Sequence, residues 1–313
     1  MYPCPLVNRI RRLLPGLVVV ALVAIPAACG SPIYRASCNN TLVTSSAGPI
    51  TNPALDEISG IHIGVRNPAT WWVHNDSGDT ARVFALDAAG TTRGTYAFSG
   101  TTAVDWEDIT VVPGADPGTG TIYAADIGDN PLTRTEIQLY RVAEPAVPES
   151  GPADDLTLGG IETLHLTYPD GPHDAETLMI DPATNDVIVV TKLLTGGTVG
   201  VYRAAGPLAA DSTTQLTRVA DLTYPSGLFD AVTAGDVSAD GETVAIRTYG
   251  SIRVYKRTKG QDLWTAFTSK PCTAPFPGEL QGEAVGFDAT ASSLATVGEG
   301  ANQMLHFATV PKP

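Results

Sequence analysis

Apolar residues in this chain come in short, β-branched runs broken by Gly, Pro, Asn and Asp, the chemistry of strands and turns. Asp186-Val-Ile-Val-Val-Thr191, Thr243-Val-Ala-Ile-Arg-Thr248 and Thr121-Ile-Tyr-Ala-Ala125 are examples, and no amphipathic helical stretch of useful length stands out. Segments also echo one another. Thr167-Tyr168-Pro169-Asp170-Gly171 precedes Asp174-Ala175, and Thr223-Tyr224-Pro225-Ser226-Gly227 precedes Asp230-Ala231 at the same offset. Tyr140-Arg141-Val142-Ala143 is matched by Tyr202-Arg203-Ala204-Ala205 in the same way, so a unit is repeated. Strand starts anchored near Ser59, Glu107, Glu176, Gly235 and Glu283 give five units, stepped by about 48, 69, 59 and 48 residues. That spacing predicts an all-β fold, a β-propeller of five four-stranded blades. Six blades is the alternative, since the 69-residue step has room for an irregular one. In the third unit the strands are read as 176–180, 186–191, 199–202 and 216–222. The last unit supplies three strands, ending at Val310, and Thr41-Leu-Val-Thr44 is expected to close the ring as its fourth.

The N-terminus reads differently. Arg9, Arg11 and Arg12 precede an apolar run from Leu17 to Ala28, a secretory signal too short to span a bilayer. The next residue, Cys29, stands where a bacterial lipobox has its acylated cysteine, although Pro26 departs from that pattern. The expected division is a lipoprotein signal over 1–28, a tether over 29–37 and one propeller domain over 38–313. The mature protein is then exported and held at the outer face of the cell membrane by the Cys29 lipid alone, with a plain cut near Ala28 and secretion as the alternative. With 33 acidic residues against 19 basic ones, the chain is strongly acidic. This disfavours nucleic acid and anionic membrane surfaces and suits divalent cations. Cys38 and Cys272 remain once the signal is removed, and an oxidising compartment predicts a disulfide between them that ties the closing strand to its neighbouring blade, with two reduced, buried thiols as the alternative.

Candidate chemistry follows from the predicted topology. Residues just before the first strand of a blade and just after the second meet at one end of a propeller's axis. Unusual groups stand at both places. Glu57, Glu107 and Glu283 before first strands, with Asn75, Asp76, Asp126 and Glu299 after second strands, make an oxygen-rich set on blades one, two and five that suits Ca²⁺. No His/Cys spacing favours zinc. His173, Glu176, Lys192 and Arg247 on blades three and four are the candidate catalytic or anion-binding groups. Asp105, Asp174 and Asp236 lie beside them. The competing reading is structural: acids at strand starts satisfy backbone amides between blades, and Asn-Asp segments make turns. At least two of Trp71, Trp72 and Trp106 are read as core, with stacking on a sugar or other ring as the alternative use. Asp236-Val-Ser-Ala-Asp-Gly241 matches only half of an EF-hand loop, and no G-x-S-x-G, Walker or H-E-x-x-H motif appears.

Glu57-Ile-Ser-Gly-Ile61, Asp105-Trp-Glu-Asp-Ile109 and Asp174-Ala-Glu176 resemble the repeated strand starts of the SdiA-regulated propeller family and of the esterase-like phytase domain. Asp108 and Thr177 stand where those motifs carry glycine. The resemblance implies an extracytoplasmic propeller with a central Ca²⁺ and, more distantly, the axial metal of regucalcin-like and gluconolactonase propellers. Two functions are expected from it and from the acidic mouth. One is a monomeric surface module that binds a small anionic molecule or an extracellular partner. The other is a metal-dependent hydrolase of phosphoesters, esters or lactones, with His173 or Glu176 as base and Lys192 and Arg247 stabilising charge.

Overall fold

A computed structural model describes residues 31–150, 154–279 and 281–312. Five sheets stand in a ring, and each supplies one innermost strand: Ile58–Ile63, Trp106–Pro113, Ala175–Ile180, Val232–Val237 and Gly282–Phe287. Every innermost strand packs on the next, and the fifth packs on the first, so the ring closes as a five-bladed propeller. These strands are buried along nearly their whole length, because they face the axis on one side and a neighbouring blade on the other. The signal and Cys29 lie outside the described residues.

The core is not one mass but five apolar layers, one per seam between blades. Val112, Ile137 and Leu139 of blade two meet Leu178, Val187 and Val189 of blade three in one such layer. Side chains alternate along a strand, so neighbours serve opposite seams. Trp71 joins the layer shared with blade five, while Trp72 joins the one shared with blade two, beside Trp106. The tryptophans are core residues. A buried Ile, Leu or Val contributes about 1.5–3 kcal/mol, so each seam is strongly held.

The long 69-residue step hides no sixth blade. After its third strand, blade two sends the chain back to blade one, where Asp154–Leu158 adds a parallel fifth strand beside Thr92–Phe98. The chain then returns as Glu162–Thr167, blade two's own fourth strand, which Thr213–Gln215 later covers in parallel. Both additions occupy outer edges that would otherwise expose unpaired backbone groups.

Ring closure comes from Val43–Pro49, antiparallel to Met304–Thr309, a shift of two residues from the expected start. Thr41 is spent elsewhere: its amide caps the preceding helix by bonding Ala36 O at 3.0 Å. That helix, Pro32–Asn39, occupies most of the stretch read as a tether. Ser31 caps its start, Pro32 sits in its first turn, and Asn40 at φ 53° ends it. Ile33 is fully buried among Ala245, Ile252 and Val254, and Cys38 is bonded to Cys272 at the head of blade four's short last strand. The disulfide thus joins the closing segment to blade four.

Candidate functional site

All five innermost strands carry a β-bulge at the same place, one residue past their start. The extra residues are Ser59, Glu107, Glu176, Thr233 and Glu283. A bulge removes a residue from the ladder and re-aims its side chain. In two blades the position is a hydroxyl that closes the seam to the next blade: Ser59 Oγ donates to Glu107 O and Thr233 Oγ1 to Gly282 O, both at 2.8 Å. In the other three it is a glutamate. Blade four therefore aligns at Thr233, two residues before the Gly235 expected from sequence.

A second ring lies just beyond the second strands. The amides of Asp76, Ile127, Lys192, Tyr249 and Glu299 bond back to the carbonyls of Glu57, Asp105, Asp174, Ala231 and Gln281, at 2.8–3.3 Å. Together the two rings gather seven carboxylates at one mouth of the axis, in three overlapping groups: Asp76–Glu283–Glu299, Asp76–Asp105–Glu107 and Glu107–Asp174–Glu176. Within each group, one ligand atom per residue lies within 4.8 Å of the others. Gly128 borders them, and a Cβ there would collide with the carboxylates of Glu107 and Asp105.

The protein supplies little to neutralise this charge. Lys192 Nζ bonds Glu176 Oε1, and Tyr249 OH donates to Glu283 Oε1 at 2.8 Å. Glu176 Oε2 is buried and has no hydrogen-bond partner among the described residues. Burial, then the neighbouring carboxylates Glu176, Asp76 and Asp105, push Glu107 well above the usual range. Glu176 is also raised well above it, by burial and by Glu283, although Lys192 opposes the shift. Asp76 is pushed up to about 6 and Glu299 to about 8, each chiefly by burial and then by like charges nearby. Asp105 and Asp174 are raised for the same first reason. Burial alone would lower Lys192, but the charges of Glu176 and Glu283 raise it, so it remains a cation.

Of the residues anticipated as metal ligands, Asp76, Glu107, Glu283 and Glu299 come together here. Glu57 is exposed and takes part through its backbone. Asn75 and Asp126 end their second strands one residue short of the ring and serve as caps. Asn75 donates to Ala54 O at 2.6 Å and to Asp79 Oδ2 at 2.9 Å. Asp126 accepts the amides of Val104 and Asp105 and the Arg134 guanidinium at 3.0, 3.2 and 2.7 Å.

The anticipated catalytic residues divide as well. Glu176 and Lys192 stand in the cluster. His173 instead pairs with Asp170 at 3.0 Å and Tyr202 OH at 2.9 Å, its ring packed on Tyr168. Arg247 is fully buried between blades four and five, bonded to Glu279 and, at 2.9 Å, to Ala284 O. A Cβ on Gly282 would collide with its guanidinium. Asp105 and Asp174 belong to the cluster although sequence placed them only beside it. The signal was the D-x-E spacing, which sets an aspartate two residues before the bulged glutamate. Tyr249 carried no signal, since nothing in its surroundings marks a mouth residue.

No protein-family model matches this chain, and no curated protein is significantly similar to it. The likeness of its strand starts to known propeller families therefore carries no activity over.

Proposed function

We propose that the acidic mouth binds a divalent cation of the calcium class and uses it to hold a ligand. The observation that carries this reading is the buried Glu176 Oε2, unpartnered among the described residues, inside a group of seven carboxylates to which Lys192 alone of those residues bonds as a cation. Burial, and then mutual repulsion, raise Asp76, Asp105, Glu107, Asp174, Glu176 and Glu299, and an oxygen-seeking cation is the simplest relief. Glu107 and Asp76, each shared between two groups, would be its central ligands, with Glu283, Glu299 and Asp105 around them. Lys192 already neutralises Glu176, so the blade-one, blade-two and blade-five side of the mouth is the favoured seat. A bound cation there supplies charge neutralisation and an acceptor for a ligand's oxygen atoms.

Binding is favoured over hydrolysis by where the histidine sits. His173 is held by Asp170 and Tyr202, outside the carboxylate groups, and Arg247 is sealed between blades. Among the described residues no other histidine joins the cluster. The same reading keeps the chain outside the cytoplasm, anchored through Cys29, where calcium is plentiful and the Cys38–Cys272 bond persists.

Calcium titration of the mature domain, followed by calorimetry and melting temperature, tests the site. Heat of binding and a melting rise at millimolar calcium are expected, both lost in a Glu107→Gln, Glu176→Gln double variant. No response in the unaltered protein would leave the carboxylates as protonated structural groups and end this reading.

A further inference from the structure

Apolar side chains stand where the acidic mouth meets solvent. Leu193 and Leu194 follow Lys192 directly and are 43% and 52% exposed; Leu228 and Phe229, just before blade four's innermost strand, are 56% and 70% exposed. The two turns adjoin: Gly227 N donates to Thr195 O at 2.7 Å, and Gly250 N donates to Phe229 O at 2.7 Å. Large exposed hydrophobes on neighbouring turns are unusual on a soluble surface and commonly mark a binding site. A cavity of 230 Å³ opens there, lined by Leu228, Phe229, Tyr249 and Gln281.

Tyr249 joins this cavity to the carboxylates. Its ring lines the apolar space, while its hydroxyl donates to Glu283 at 2.8 Å. Lys192 Nζ lies 5.5 Å above the same ring. A molecule seated against Leu228 and Phe229 would thus meet, at the junction, the cation proposed above on its Asp76, Glu283 and Glu299 side. Asp76 and Glu299 are only partly buried, so a cation between them faces the mouth and keeps room for an outside oxygen.

From this juxtaposition we infer that the site takes an amphiphilic anion, a carboxylate on a short alkyl chain. The head completes the cation's coordination, and the chain covers Leu228, Phe229 and the Tyr249 ring. The inference rests on the cation reading above. The cavity is smaller than the roughly 300–1,000 Å³ of drug-sized sites, which favours a short chain over a long or branched one.

The test uses the full mature protein and calorimetry with acetate, butanoate, octanoate and octylamine, each with saturating calcium and again with a chelator. Calcium binding alone is measured first. With calcium, octanoate is expected to bind at least tenfold more tightly than acetate, with butanoate between them, and to lose binding under chelation. A Leu228→Ser, Phe229→Ser variant, altered only at exposed positions, should bind octanoate no better than acetate while its calcium affinity stays within twofold. If calcium binds normally and chain length makes no difference, the amphiphile inference fails and the cation site stands. If calcium does not bind, both fall. Octylamine binding under chelation would assign the mouth to an organic cation and overturn the carboxylate ligand.

Discussion

Adjacent residues of one innermost strand put the same chemistry to opposite uses. Glu107 faces other carboxylates at the mouth, whereas Asp108, next in sequence, turns into the seam. Its two oxygens accept the amides of Ile109 and of Leu178 in blade three, both at 2.8 Å. Asp236 repeats this in blade four, accepting from Val237 and from Phe287 of blade five at 2.7 Å, with His62 Nε2 3.4 Å away. Burial alone would lower His62, but the charge and hydrogen bond of Asp236 raise it. The seam acids answer a local need and are finished; the mouth acids create a need that the chain leaves open. Burial of a carboxylate is therefore no guide to function here. What separates the two classes is whether backbone amides consume both oxygens: in the mouth, Asp76 accepts the Ser77 amide through one oxygen and Asp174 that of Asp129 through one.

This contrast is broken most forcefully at the seam. Asp108→Ala strands two buried amides on different blades, and should cost about 3 kcal/mol in denaturant unfolding. Calcium should not recover that loss beyond the increment it gives the unaltered protein. At the mouth, calcium at a hundredfold excess over its Kd should add about 2.7 kcal/mol to stability. Glu107→Gln, which leaves the buried Lys192–Glu176 pair intact, should weaken this increment while leaving the calcium-free protein at least as stable, because repulsion is relieved. A loss of calcium-free stability in that variant as large as that of Asp108→Ala would place Glu107 in the structural class.

Proton linkage sharpens the difference further. Asp76 and Glu299 are pushed up to about 6 and about 8 in the fold, from ordinary values of 3.8 and 4.5. The folded state thus holds more protons than the unfolded chain between pH 4 and 8, so its stability falls as pH rises through that window. Calcium-free protein should melt several degrees lower at pH 8 than at pH 5. Saturating calcium should erase most of that slope, since the cation takes the protons' place. A flat calcium-free profile across the window would show the mouth carboxylates to be less crowded than their positions imply.

The five strand starts were legible because three carry a glutamate preceded by an acid or its amide, and the closing strand and disulfide followed from counting strands and cysteines. Blade four slipped by two residues because its bulge holds Thr233, which looks like any strand threonine. Asn75 and Asp126 read as ligands because sequence does not mark the residue at which a second strand ends, and that residue caps the ladder while the next one lies in the ring. The helix at 32–39 was invisible for another reason. Eight residues have little helical stability alone, and burial of Ile33 and the bond at Cys38 supply it from blade four. The 69-residue step concealed an exchange of edge strands between blades, which depends on long-range pairing rather than local pattern.

Lys192 stands between the two classes, since among the described residues it is the cation bonded directly to a mouth carboxylate. Its ammonium bonds Glu176 and also interacts with Glu283, which belongs to the group on the far side. Replacing it with Met keeps most of the side chain's volume and removes the charge. The seam acids should not notice. The mouth should become more negative, less stable without an ion, and more attractive to calcium by about tenfold, or about 1.4 kcal/mol. Calorimetric titration of Lys192→Met against the unaltered protein measures this directly. Weaker calcium binding would mean that Lys192 organises the ligands instead of competing with the ion, and would move it from internal counter-ion to scaffold.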